Sequence, residues 1–170
     1  MANALVIVDA QNYFINESNK GIPKRIAQVA DKVHFDFIIF LKFVNKDASN
    51  FVKDLNWKKM FTSPDTDIVP ELEKLTKRGV VFRKTSFSAF RSKGFVDFIT
   101  KNRIHRLYVC GFDTDGCVIQ TALEAFDLGY EVRVFEDLCA SHHGEDFHKK
   151  AISIMKRNAW SIVSNSKEFG

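Results

Sequence analysis

The chain has 170 residues, 45% hydrophobic and 27% charged, enough apolar side chain for one sizeable core, so residues 1–170 read as a single domain. The formal charge of +4 comes from lysines and arginines scattered among acids with no long cationic run, which argues against a nucleic-acid partner, and many of the 17 phenylalanines fall in apolar runs where packing explains them. Three cysteines, without zinc-knuckle or disulfide-scaffold spacing, argue against a secreted framework and suit a reducing cytoplasm.

The first apolar run, "ALVIV", follows a short polar start that lacks the basic region, long apolar stretch and cleavage site of a signal peptide, which again predicts a cytoplasmic protein. It reads as a strand ending at Asp9, and a helix is expected over Ile22–Val33. The second run, "FDFIIFLKFV", is interrupted by Lys42 and too short for a bilayer span, so a buried strand is expected and no membrane association. The polar stretch after it contains Pro64 and Pro70 and is long for a crossover; it predicts a loop with short helices over one end of the sheet.

The third run, "VVF", leads to Lys84, and a helix is expected over Ser92–Asn102. The fourth, "RLYVCGF", opens into a turn crowded with Gly111, Asp113, Asp115 and Gly116, followed by Cys117 on a helix expected over Asp115–Leu128 and stopped by Gly129. "EVRVF" leads to Asp137, a helix is expected over Glu145–Arg157, and "WSIV" supplies a sixth strand. Strands alternating with helices predict an α/β fold: three αβα layers around a doubly wound parallel sheet of about six strands, in the order 3-2-1-4-5-6.

In such a sheet ligands bind beyond the carboxyl ends of the strands, so Asp9, Lys84, Cys117 and Asp137 are the residues to weigh. A carboxylate, an ammonium and a thiol in one crevice form a workable nucleophile set. Asp9 would take the thiol proton and return it to a leaving amine, Lys84 would stabilise the thiolate, and the helix N-terminus would lower the thiol pKa and offer N–H groups to an oxyanion. Singly, each has a plainer reading: a strand-end Asp caps, a Lys is solvated, a helical Cys fills apolar space.

Three stretches, "ALVIVDAQNYF", "FRKTSFSAF" and "VCGFDTDGCVIQTALEAFDLGYEVRVFEDLCAS", resemble the isochorismatase-like cysteine hydrolases, which include nicotinamidases and N-carbamoylsarcosine amidases; the likeness runs from about Asn3 to Val163. The resemblance implies a triad of Asp9, Lys84 and Cys117, attack of the thiolate on the carbonyl of a small amide or related compound, a thioester intermediate and a homo-oligomer, dimer or higher. It also implies a cis peptide between Phe112 and Asp113 that aims the N–H groups of Asp113 and Cys117 at the oxyanion; Asp115 then reads as a helix cap rather than a metal ligand. No cofactor is expected. Nicotinamidases of the family carry an Asp and His metal cluster after the second strand, whereas "KFVNKDASNFVKDLNW" has no histidine, and Asn45 and Asp47 make a poor transition-metal site. His142 and His143 are adjacent and so rarely suited to one ion, and with His148 they read as a helix cap or crevice wall; no metal is expected.

Phe14, Trp57 and Phe87 lie in loops that would wall a small-molecule substrate, whereas Phe90 reads as packing. A rival from another class is a PIN or NYN-type ribonuclease, in which Asp9, Asp113, Asp115 and also Asp137 would hold magnesium. That reading leaves Lys84 and Cys117 without roles. A nucleotide-binding domain is discounted because both a Gly-rich dinucleotide turn and a P-loop are absent. A family member that has lost catalysis and binds a partner is the remaining alternative.

Overall fold

The computed structural model describes residues 1–169. Strand β1 (Ala2–Val8) is buried from Ala4 to Val8, as its uninterrupted apolar sequence requires of a strand covered on both faces. It pairs in parallel with β2 (Phe37–Phe43) on one side and β4 (Ile104–Gly111) on the other. Outward from these lie β3 (Val80–Lys84), β5 (Glu131–Cys139) and the two-residue β6 (Val163–Ser164). The sheet order is β3-β2-β1-β4-β5-β6, all parallel.

The winding direction reverses between β1 and β4. Right-handed crossovers therefore place α1 (Ile22–Lys32) on the face opposite α5 (Ile119–Asp127) and α6 (Glu145–Asn158). Each helix buries one stripe: Ile22, Ile26 and Ala30 on α1, spaced four apart, and Ala151, Ile152 and Met155 on α6. Helix α4 (Lys93–Lys101) buries Phe95 and Ile99 after Ser92, its N-cap residue. The long stretch after β2 holds the short helices α2 (Asn50–Lys53) and α3 (Glu73–Thr76), as its composition predicts.

Two expected boundaries shift. The helix expected from Asp115 starts as a wide π turn over Thr114–Val118, because the Val118 N–H reaches back five residues to the Asp113 carbonyl at 3.0 Å, and α5 proper begins only at Ile119. The sixth strand is displaced from "WSIV": residues Trp160–Ile162 form a 3-10 turn with Trp160 exposed, and pairing is confined to Val134 with Val163 and Phe135 with Ser164.

Candidate active site

Strand register places the first two site residues. Val8 pairs with Leu41, and Phe43 pairs with Lys84, so β1, β2 and β3 end beside one another with Asp9 just beyond β1 and Lys84 closing β3. Asp9 has φ +46°, the left-handed region that a non-glycine residue adopts only when its surroundings enforce it, and its N–H is held by the Leu41 carbonyl at 3.0 Å. Two residues on, the buried Gln11 side chain stitches the loop to the end of β2. It donates to the carbonyls of Phe43 and Thr66 and accepts from the Phe43 N–H, each at 2.8 Å.

Strand β4 brings the third. At its end Gly111 has φ +112°, and a Cβ there would sit 2.1 Å from the Val8 carbonyl oxygen, so only glycine lets β4 run this close to β1 before turning toward Cys117. The peptide bond between Phe112 and Asp113 is cis. The Asp113 N–H donates to no acceptor among the described residues.

These elements converge on one buried ammonium. Lys84 Nζ donates to Asp9 Oδ2 at 2.7 Å, to the Ser86 carbonyl at 2.8 Å and to Cys117 Sγ at 3.2 Å, which uses all three of its protons. The side chains of Lys84 and Asp9 are fully inaccessible, and Cys117 is buried. Asp9 Oδ1 takes no well-formed hydrogen bond, and the Cys117 thiol is the donor close enough to favour the carboxylate there.

Burial raises the Asp9 pKa, and the neighbouring ammonium offsets that only in part, so this carboxylate accepts a proton more readily than an exposed one. Burial also opposes the charge on Lys84, but Asp9 and the sulfur outweigh it and hold the ammonium protonated above its ordinary range. The Cys117 thiol is pushed well above the ordinary thiol value by burial, with Lys84 acting only partly against it. This reverses the expectation that the helix start lowers its pKa: desolvation dominates, so the thiol needs a base beside it.

A cavity of about 330 Å³ opens over Cys117. Phe14, Trp57 and Phe87 line it, joined by Tyr13, Phe43 and Phe51, which sequence reasoning passed over. The Phe51 ring packs against Phe43, Trp57 and Phe87 with centroids 4.9–5.8 Å apart, a path set by the loop after β2 that no local pattern announces. Phe90 packs instead against Phe95 and Tyr130.

Asp113 also lines the cavity, and its carboxylate is bonded to His142: Oδ1 accepts from the His142 N–H at 2.8 Å, and Oδ2 pairs with the ring Nδ1. That hydrogen bond raises the His142 pKa, against the opposing effect of burial. His148 is bonded through Nδ1 to Thr114 Oγ1 at 2.8 Å, and burial lowers its pKa.

Several expectations are corrected. Asp115 does not cap α5: the N-cap residue of the π turn is Asp113, whose carboxylate turns to His142 and makes no capping bond, and Asp115 Oδ1 is buried without a partner. Asp137 is away from Cys117, its carboxylate taken by the Ser166 N–H at 2.7 Å and hydroxyl at 2.5 Å. A magnesium cluster of Asp9, Asp113 and Asp115 is not favoured, since Asp9 is paired with Lys84 and Asp113 with His142. The position after β2 does not fit a metal either. Asn45 is buried and spends its amide on the Trp57 and Lys59 carbonyls and its oxygen on Lys46 N–H and Ser49 Oγ, while Asp47 is exposed.

Known proteins share this architecture. A solved isochorismatase-like hydrolase from Alkaliphilus metalliredigens superposes with a TM-score of 0.86 at 16% identity, covering 99% of this chain and 97% of its own. An N-carbamoylsarcosine amidase from Thermoplasma acidophilum superposes with a TM-score of 0.81 at 19% identity, covering 98% and 97%. In sequence, the isochorismatase domain-containing protein 2 of Xenopus laevis is 34% identical over 65 residues, 38% of this chain, and the match spans only about a third of that relative's length, 32%. The isochorismatase domain matches residues 3–167, nearly everything that folds around this sheet, and the chain therefore belongs to the isochorismatase family.

Proposed function

We propose that the chain is a hydrolase that cleaves the C–N bond of a small amide or carbamoyl compound with Cys117 as nucleophile. The observation that carries this reading is the Lys84 ammonium bonded at once to Asp9 and Cys117 beneath an aromatic cavity. The raised pKa values of the thiol and the carboxylate favour a concerted start: Cys117 gives its proton to Asp9 as Sγ attacks the carbonyl carbon. Lys84 stabilises the negative charge that develops on Sγ as the proton leaves and keeps Asp9 oriented.

The tetrahedral oxygen would be met by the N–H groups of Asp113 and Cys117. Asp9 then returns the proton to the nitrogen, the C–N bond breaks, and ammonia or an amine leaves a thioester on Cys117. Water attacks the thioester with Asp9 again as base, releasing the acid and restoring the thiol. The aromatic lining suits a small flat substrate that buries most of its surface. The amidase fold described above supports the bond type, and the resemblance of the site sequences supports the residues.

The test is product release from nicotinamide, pyrazinamide, N-carbamoyl compounds, ureidoacrylate-like amides and isochorismate, together with intact-mass detection of a Cys117 adduct after iodoacetamide. Cys117→Ala is expected to abolish turnover and labelling, whereas Cys110→Ala and Cys139→Ala retain both, as Cys117 is the cysteine that lines the cavity. Full activity in Cys117→Ala overturns the mechanism, and RNA cleavage that survives iodoacetamide would return the nuclease reading.

A further inference from the structure

The wall of the cavity beside Tyr13 and Phe14 carries three side chains that the thiol chemistry does not use: Asp113, His142 and His143. One ligand atom from each lies within 4.8 Å of the others. Adjacent residues usually point apart, but here the turn after β5 folds the two imidazoles onto the same side, with ring centroids 3.8 Å apart. The turn is built rather than loose. The His143 N–H donates to Ser141 Oγ at 3.1 Å, the Gly144 N–H to the Ser141 carbonyl at 3.1 Å, and Asn16 Nδ2, from the segment after β1, donates to the His142 carbonyl at 2.9 Å. Tyr13 and Phe14 pack their rings against the His142 ring at 5.7 and 5.5 Å.

From this juxtaposition we infer a binding site for a single borderline divalent cation of the zinc type, held by Asp113, His142 and His143 on the wall of the substrate cavity. The donor set is one carboxylate and two imidazoles, the combination that leaves a fourth position open on a tetrahedral ion. Ligand atoms around such an ion stand about 3.3 Å apart, so the present separations need only a modest contraction of side chains already turned toward one another. Asp113 is mostly buried with its carboxylate hydrogen-bonded to the His142 ring, and a cation bound between the same two groups would release the proton of that bond to solvent. These residues are separate from the segment after β2, where Asn45 is consumed by structural bonds. The inference stands on the turn and the three donors, independent of whether Cys117 performs hydrolysis.

Full-length protein freed of metal by chelation and dialysis is titrated with Co²⁺, followed by visible ligand-field absorption, and with Zn²⁺ in competition with a chromophoric chelator. One ion per chain is expected. His143→Ala, which removes a solvent-facing ring and leaves the core intact, is expected to weaken binding by about tenfold or more, and Asp113→Asn and His142→Ala at least as much. His34→Ala, a surface control, leaves binding unchanged. A thiolate-to-cobalt charge-transfer band that vanishes in Cys117→Ser would extend the ligand set to the thiol. No stoichiometric uptake by the unaltered chain, or equal affinity in His143→Ala, overturns the inference.

Discussion

Replacing Lys84 with methionine keeps the volume of the side chain and removes the one cation that faces Asp9. The carboxylate is then fully buried beside a neutral thiol, with Oδ2 losing its 2.7 Å bond and Oδ1 already without a well-formed one. Stranding one member of a buried pair costs about 3–5 kcal/mol. The cost also depends on pH, because Asp9 keeps the burial that raises its pKa and loses the neighbour that lowers it. Its folded-state pKa then stands above the unfolded one, the folded state retains a proton that the unfolded state has released, and stability falls as pH rises between the two values, by up to about 1.4 kcal/mol per pH unit. Urea unfolding of Lys84→Met should therefore show the full penalty in mild alkali and a smaller one below about pH 4, where Asp9 is protonated in the folded state and increasingly so in the unfolded one. Adding Asp9→Asn should abolish that pH dependence. A penalty under about 1 kcal/mol in mild alkali, or one identical at both pH values, would refute the account of a charge pair sequestered from water.

Two further outcomes follow from the geometry. Gly111→Ala should cost about 4 kcal/mol or more in thermal or urea unfolding, because the added Cβ meets backbone at 2.1 Å, whereas Gly129→Ala, at φ +83° with nothing within 4 Å, should cost about 1 kcal/mol. Alkylation of Cys117 by iodoacetamide should quicken steadily from neutral into alkaline pH, since a thiol whose pKa is raised gains thiolate across that whole range, and mass spectrometry should find Cys110 and Cys139 unmodified until the protein unfolds.

Periodicity made the sheet legible. Uninterrupted apolar runs such as Ala4–Val8 are too short for helices and read as buried strands, and the turn-rich breaks between them mark where each strand delivers a side chain to the crevice. Asp9 and Lys84 were readable for that reason: Asp9 directly follows such a run and Lys84 lies one residue further on, after Arg83, and strand register then leaves little freedom in where each goes. Cys117 was readable as a residue of the turn after β4, but its environment was not. A helix start suggests a lowered thiol pKa, while the packed core around it pushes the pKa up. The helix start itself was misplaced because a π turn and an α turn share the same local composition. Asp137 illustrates the converse: a strand-end carboxylate like Asp9, it is drawn off by Ser166 in a segment that only folding brings near.

By itself the amino-acid sequence determined the layered α/β architecture and the polar residues at the strand ends, because alternation of buried strands with amphipathic helices is a local property of the chain. Only the tertiary structure decided that one ammonium bonds both Asp9 and Cys117, that Phe51 closes the aromatic wall, and that Asp113 meets two histidines from the turn after β5. Those contacts join segments far apart in sequence, and their geometry depends on loop paths and close backbone approaches, such as Gly111 against Val8, that carry no periodic signal.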